Sequence, residues 1–381
     1  MKNIIILLTT IVLLISCSKN EKNYTVKEID GIKIYHNTTT PSDPSYKINA
    51  TKLFTIEGSD ENCTDSLRNF SFIRSTVVDS KGNIFILDQK LAEIKKFDKN
   101  GKFIKSFCRL GTGPGELQGG VALLCLNDTL YIKDAASTKY SKFTSNGDYI
   151  ESFMVDDFSG PQWVTPVGTN LFITDLLDII PLDGKAVVIF DLQIRNTNYE
   201  LVKSLKKDQG NYIGANTILH DYVHPFCVGK NNIYVAKISE NEFLIDVFDF
   251  KGNLLYKIRK DFRKIPITEE ELNEFGTAQN LTHGENEEHE FKINYKKSVD
   301  AMSMFEDKNG NLIVQVPLDR NEENKNDFIV DAFKDGVFLN RFKIDIGRGF
   351  DFYNSSQQRF FIGNRIYHQN REESSVTVYE Y

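Results

Sequence analysis

The chain has 381 residues and a formal net charge of −7, enough length for one large repeat domain or two ordinary ones. The negative balance argues against a nucleic-acid partner, which would favour a basic face. With 28 phenylalanines and 16 tyrosines but only nine prolines, the composition favours strands.

In chain order, the opening MKNIIILLTTIVLLISC has the layout of a secretory signal. Lys2 supplies a positive start. Ile4 to Ile15 form an apolar run too short to stay in a bilayer as a spanning helix. Leu14-Ile15-Ser16-Cys17 resembles the lipobox of bacterial lipoproteins, in which a small residue precedes a cysteine that becomes the lipidated N-terminus. Residues 1–16 are therefore read as a signal peptide, and Cys17 as a lipidation site that ties the protein to a membrane of the cell envelope. Ser18 to Asn23 are polar and read as a tether. Residues 17–46 as a whole form the lipidated cysteine, tether and N-terminal extension.

A repeat then emerges. Val77-Val78-Asp79, Ile84 to Asp88, Glu93 to Asp98 and Lys102 to Phe107 are four short strands joined by turns, Lys99-Asn100-Gly101 being of hairpin type. Four such antiparallel strands make one blade of a β-propeller. The pattern returns at Leu130–Phe153, Leu171–Leu205, Ile233–Ile258 and Asn311–Ile344. An aromatic of the third strand recurs at Phe97, Phe143, Phe190, Phe248, Phe333 and Tyr379, with long steps into Phe248 and Phe333 marking insertions. In blade 3 the second hairpin turn reads as longer. The larger insertion spans about 261–298, and Thr268 to Glu271 reads as a capping box opening a short helix with Leu272 and Phe275.

The last copy, Asn364–His368 and Val376–Tyr379, lacks a fourth strand, which would leave an edge exposed. Ala50 to Ile56 reads as a fourth strand without partners of its own. The expectation is an all-β protein: a six-bladed β-propeller of four-stranded antiparallel blades over 47–381, its C-terminal blade completed by an N-terminal strand.

Gly31 to Asn37, Gly82-Asn83 with Ile84 to Asp88, Lys96-Phe97-Asp98 with Gly101, and Gly111 to Glu116 follow in that order. This series resembles the bacterial six-bladed propeller lipoproteins of Bacteroidota, relatives of the NHL-repeat and TolB-like propellers. The resemblance implies a fold and an envelope location, and no assigned chemistry.

Motifs that suggest chemistry mostly have plainer readings. Gly111, Gly113, Pro114, Gly115 and Glu116 lack the Lys-Ser or Lys-Thr of a phosphate-binding loop and are read as a structural inter-blade loop, with glycines that permit positive φ. Glu116 is a candidate acceptor of backbone N–H groups there. Asp79, Asp88 and Asp134 recur at strand ends, where capping outweighs calcium binding. His283 and His289 match no metal spacing, so no metal or cofactor is expected. Cys63, Cys108, Cys125 and Cys227 commit to no bridge, and Phe158, Trp163 and Tyr222 are weaker candidates for a ligand surface. The functional expectation is a monomeric binding or scaffold propeller for a protein, peptide or glycan. The alternative is a propeller enzyme, a calcium-dependent lactonase-like hydrolase or a lyase, acting at the central channel.

Overall fold

The second strand of the first blade, Ile84–Asp88, is buried at every position. Successive side chains of a strand point to opposite faces, and here both faces are covered. Ile84 and Ile86 pack with Val376 and Val378, while Phe85 and Leu87 pack with Leu123 and Leu130. A sheet sandwiched between two others reads as a continuous apolar run rather than an alternating one.

The computed structural model describes residues 22–58, 69–134, 139–154, 164–182, 185–211, 224–273, 294–299, 304–319, 321, 327–346 and 357–381. Six sheets form a six-bladed propeller, each blade containing four antiparallel strands from the axis outward. Blade 1 comprises Ile73–Val78, Ile84–Asp88, Glu93–Phe97 and Phe103–Phe107; blade 2, Gly120–Leu126, Thr129–Asp134, Lys139–Thr144 and Tyr149–Met154. Blade 3 comprises Val164–Val167, Leu171–Leu182, Lys185–Asn196 and Leu201–Asn211; blade 4, Phe226–Val228, Ile233–Ala236, Phe243–Phe248 and Leu254–Lys260. Blade 5 comprises Met304–Glu306, Leu312–Gln315, Phe328–Lys334 and Val337–Ile344. Blade 6 joins Gln357–Ile362, Arg365–Asn370 and Ser375–Glu380 to the N-terminal Thr51–Glu57. The expected closure is thus the observed one, with Val376 opposite Ile56 and Val378 opposite Phe54. Six apolar clusters occupy the spaces between adjacent blades.

In blades 1 to 5 the second hairpin turns back over the preceding blade. Gly101 has φ +83°, and a Cβ there would lie 2.6 Å from Phe54 of blade 6. Glycine alone combines that backbone with that approach. In blade 3 the expected aromatic, Phe190, is not the equivalent of Phe97. The bulge that precedes Phe97, Phe143, Phe248, Phe333 and Tyr379 precedes Arg195 instead. Asn196 accepts the amides of Asn198 and Glu200, as Asp98 accepts those of Asn100 and Lys102. The blade 3 turn is therefore not lengthened. Its hairpin arms are longer, and Arg195, stacked 4.3 Å over Tyr199, takes the aromatic position. Phe190 misled because it occupies the right distance from Phe143, while Arg195 lies nearly midway between Phe143 and Phe248.

Residues 24–46 are bound to the ring. Tyr24–Ile29 and Ile32–Asn37 form a hairpin, and its second strand pairs in parallel with Leu254–Lys260, the outer strand of blade 4. Tyr35 then reaches the hairpin glycine of blade 5, Gly336, as Phe54 reaches Gly101. Ser42 and Asp43 donate their amides to Phe338 and Leu339 of blade 5. The capping box forms: Thr268 Oγ1 accepts the Glu271 amide at 3.2 Å, and Glu271 Oε2 accepts the Thr268 amide at 3.0 Å. Residues 269–273 are helical, and Phe275 lies outside the described residues.

Candidate functional site

The glycine loop lies between the outer strand of blade 1 and the innermost strand of blade 2. Its backbone amides already face an anion. Glu116 Oε2 accepts the Gly113 N–H at 2.9 Å, and Oε1 accepts Arg109 Nε at 2.7 Å. These bonds, Gly113 first and then Arg109, hold the Glu116 carboxyl below its usual range. A Cβ on Gly111 would fall 2.1 Å from that carboxylate, and Gly115 has φ +76°. Gly113, in contrast, does not adopt positive φ; its role is the donated amide. Pro114 lies in the turn between Gly113 and the carboxylate. The side chain of Glu116 fills the position an external phosphate would need.

The three aspartates cap backbone. Asp79 Oδ1 accepts the amides of Lys81 and Asn83. Asp88 accepts those of Ser71, Phe72 and Leu91, and Asp134 that of Gln118. Asp88 and Asp134 are fully buried, a state carboxylates tolerate only with such donors. Among the described residues no three His, Cys, Asp or Glu side chains gather as a metal site. Cys108, Cys125 and Cys227 are free thiols. Burial pushes the first two up to about 12 and the third well above the ordinary value, so none is a nucleophile at neutral pH. Cys17, Cys63, Phe158, Trp163, Tyr222, His283 and His289 lie outside the described residues.

A space with room for a ligand lies on the axis. A cavity of about 680 Å³ is lined by all six innermost strands and the turns that follow them. This volume is in the range of small-molecule sites. Val77, Leu123, Phe226, Val228, Met304 and Phe360 contribute apolar wall. Two wall carboxylates are engaged. Glu306 accepts the Lys230 amide at 2.8 Å and the Tyr234 hydroxyl at 3.1 Å. Asp307 accepts the Asn309 and Asn311 amides and the Tyr46 hydroxyl at 2.6 Å. Asp175, the third, is buried on blade 3.

His224 opens the innermost strand of blade 4 and lines the same cavity. It is 5% exposed. Its Nε2 lies 3.4 Å from Asp208 Oδ2, but the alignment is too poor for a hydrogen bond, and neither ring nitrogen has one. Burial pushes its pKa down to about 4 against the opposing pull of Asp208, so the ring is neutral at physiological pH. Sequence reading offered the central channel as a site for its alternative reading but named neither His224 nor Arg74. The innermost strands of blades 3, 4 and 5 are short, with four, three and three residues, and carry no periodic signal.

No protein-family model matches the chain, and no curated protein matches it. Solved structures resemble it in fold. A Bacteroides fragilis protein described as exported is 9% identical over 91% of this chain and 98% of its own, with a TM-score of 0.48. Virginiamycin B lyase from Staphylococcus aureus is 12% identical over 81% of this chain and 95% of its own, with a TM-score of 0.41. A luciferin-regenerating enzyme is 10% identical over 81% and 91%, with a TM-score of 0.43. These likenesses concern architecture and carry no chemistry to this chain. Among the described residues no helix is long and apolar enough to cross a membrane.

Proposed function

We propose that this protein is a lipid-anchored cell-envelope propeller that binds its partner, a protein, peptide or glycan, through the axial cavity. Residues 1–16 direct export, Cys17 carries the lipid, and the ring belongs with the NHL-like and TolB-like propeller lipoproteins of Bacteroidota. The observation that carries the binding reading is the state of the wall: a cavity of about 680 Å³ whose carboxylates Glu306 and Asp307 are spent on backbone amides and tyrosine hydroxyls. Groups so engaged hold the mouth in shape and are poorly placed to transfer protons.

The test has two arms. Radiolabelled palmitate should enter the wild-type protein and not Cys17→Ala. Capture from detergent-solubilised envelope should recover a partner with the wild type and lose it with Thr165→Trp, which fills the cavity. Recovery of the same partners by both proteins refutes an axial site.

A second reading, a lyase or hydrolase acting in the channel, turns on His224, a neutral imidazole at the cavity wall whose ring nitrogens are buried beside Asp208 and would have to turn inward to act. Such a group has the chemistry of a general base. Turnover of any captured ligand by the wild type but not by His224→Asn would establish it.

A further inference from the structure

The cavity wall carries a cation whose hydrogen-bonding capacity the fold leaves unused. Arg74 lies on the innermost strand of blade 1 and donates Nε to the Val121 carbonyl of blade 2 at 3.1 Å. Among the described residues its two terminal nitrogens have neither a hydrogen bond nor an ion pair. A guanidinium presents a planar fork of donors matched to a carboxylate. Donors left empty in a partly buried place are costly.

The surroundings sharpen the preference. Arg371, on blade 6, is strapped against Arg74: its Nε donates to Ile73 O at 3.1 Å, and its Nη2 to Arg74 O at 3.4 Å. Burial, and then the Arg74 charge, push Arg371 down to about 10, the signature of two cations held close out of water. Glu306 and Asp307 belong to the other mouth, where the innermost strands end. Asp175 is buried in blade 3. In a six-membered ring, blade 4 faces blade 1, so the innermost strand of blade 4 lies across the axis from Arg74. Between them the wall is apolar, with Phe226, Met304 and Phe360. A hydrated phosphate dianion would be stripped of water there with little return. A carboxylate on an apolar body suits both parts.

We propose that the axial cavity binds a small organic carboxylate, its carboxylate on the open fork of Arg74 and its apolar body along Phe226, Met304 and Phe360. The proposal rests on the axial site of the binding reading above and adds a small-molecule occupant to it.

Calorimetric titration of the purified full chain with 4-phenylbutyrate, 4-phenylbutanol and 4-phenylbutylamine tests it. The acid should bind at least about tenfold more tightly than the alcohol or the amine, as expected for a charge-assisted pair. Arg74→Gln should abolish that difference, Arg74→Lys should keep part of it, and inorganic phosphate should not compete. If the alcohol binds as well as the acid, if the acid does not bind, or if a folded Arg74→Gln keeps the preference, the proposal fails. The three ligands on the wild type decide the matter even if Arg74→Gln does not fold. A partner lost from the Thr165→Trp protein together with equal binding of acid and alcohol would retain the axial site and remove the carboxylate.

Discussion

Asn37 and Phe338 are joined across 301 positions of chain by one hydrogen bond: the Phe338 amide donates to Asn37 Oδ1 at 2.8 Å. The Asn37 amide nitrogen returns bonds to Gly336 O at 2.9 Å and Arg259 O at 3.1 Å. A side chain 1% exposed thus locks the N-terminal hairpin to blades 4 and 5 together. Asn37→Leu leaves one amide and two carbonyls in need of other partners. It should lower unfolding free energy by about 3 kcal/mol, given roughly 1–3 for each buried group left unpaired. Urea denaturation measures this, and the Phe338 amide should exchange faster with deuterium. Unchanged stability would mean that the hairpin is dispensable to the ring.

Ring closure rests on the contact between Phe54 of the N-terminal strand and Gly101 of blade 1. Gly101→Ala adds a Cβ 2.6 Å from the Phe54 ring at φ +83°. The expected loss is about 1–3 kcal/mol from strain and displacement of the ring. Phe54→Ala should relieve the clash, so the double variant should lose less than the sum of the two singles. Strict additivity would show that the two residues do not meet.

The glycine loop predicts a stability effect without a ligand effect. Gly111→Ala must displace the Glu116 carboxylate from the Gly113 amide, and the melting temperature should fall. Phosphate or nucleotide should leave the melting temperature of the wild type unchanged, because Glu116 holds the anion's place. A clear upward shift with either ligand would restore the phosphate-loop reading.

His224 predicts a pH dependence with a definite sign. Its pKa is near 4 in the folded protein and about 6.5 when exposed. Between these values the unfolded chain binds the extra proton, so stability rises with pH across that window and falls as the solution is acidified from 6.5 to 4. The effect reaches at most about 3 kcal/mol at the acid end. Comparing His224→Asn with the wild type at pH 7 and pH 4.5 isolates it from the carboxylates: the variant should lose less on acidification. An NMR titration showing His224 at an ordinary pKa would contradict the burial argument.

The free thiols offer a simple check on packing. Cys108, Cys125 and Cys227 should resist a maleimide at pH 7 in the folded protein and react once urea unfolds it, since burial keeps each protonated. Rapid labelling of Cys227 in the native state would be inconsistent with its place between blades 4 and 5.

Much of the fold was written locally. Strands such as Ile84–Asp88 and Phe328–Lys334 are apolar on both faces, and turns such as Asp98 to Lys102 carry the Asx and glycine chemistry of their hairpins. These signals act over a few residues, so a single sequence exposes them. They sufficed for six blades, for the composite blade 6 and for the capping box at Thr268. They failed in blade 3, where Arg195 replaces an aromatic by stacking on Tyr199; a cation in an apolar slot has no periodic signature.

The sequence by itself determined the repeat and the closure of the ring, because local propensity and patterning are properties of neighbouring residues. Only the tertiary structure decided which residues line the candidate site and what it offers. The cavity is made from the innermost strands of six blades, and Arg74, His224 and Phe360 line it around an axis that no stretch of sequence contains. The N-terminal hairpin shows the same limit. Its parallel pairing with Leu254–Lys260 and the three bonds of Asn37 depend on partners more than two hundred residues away.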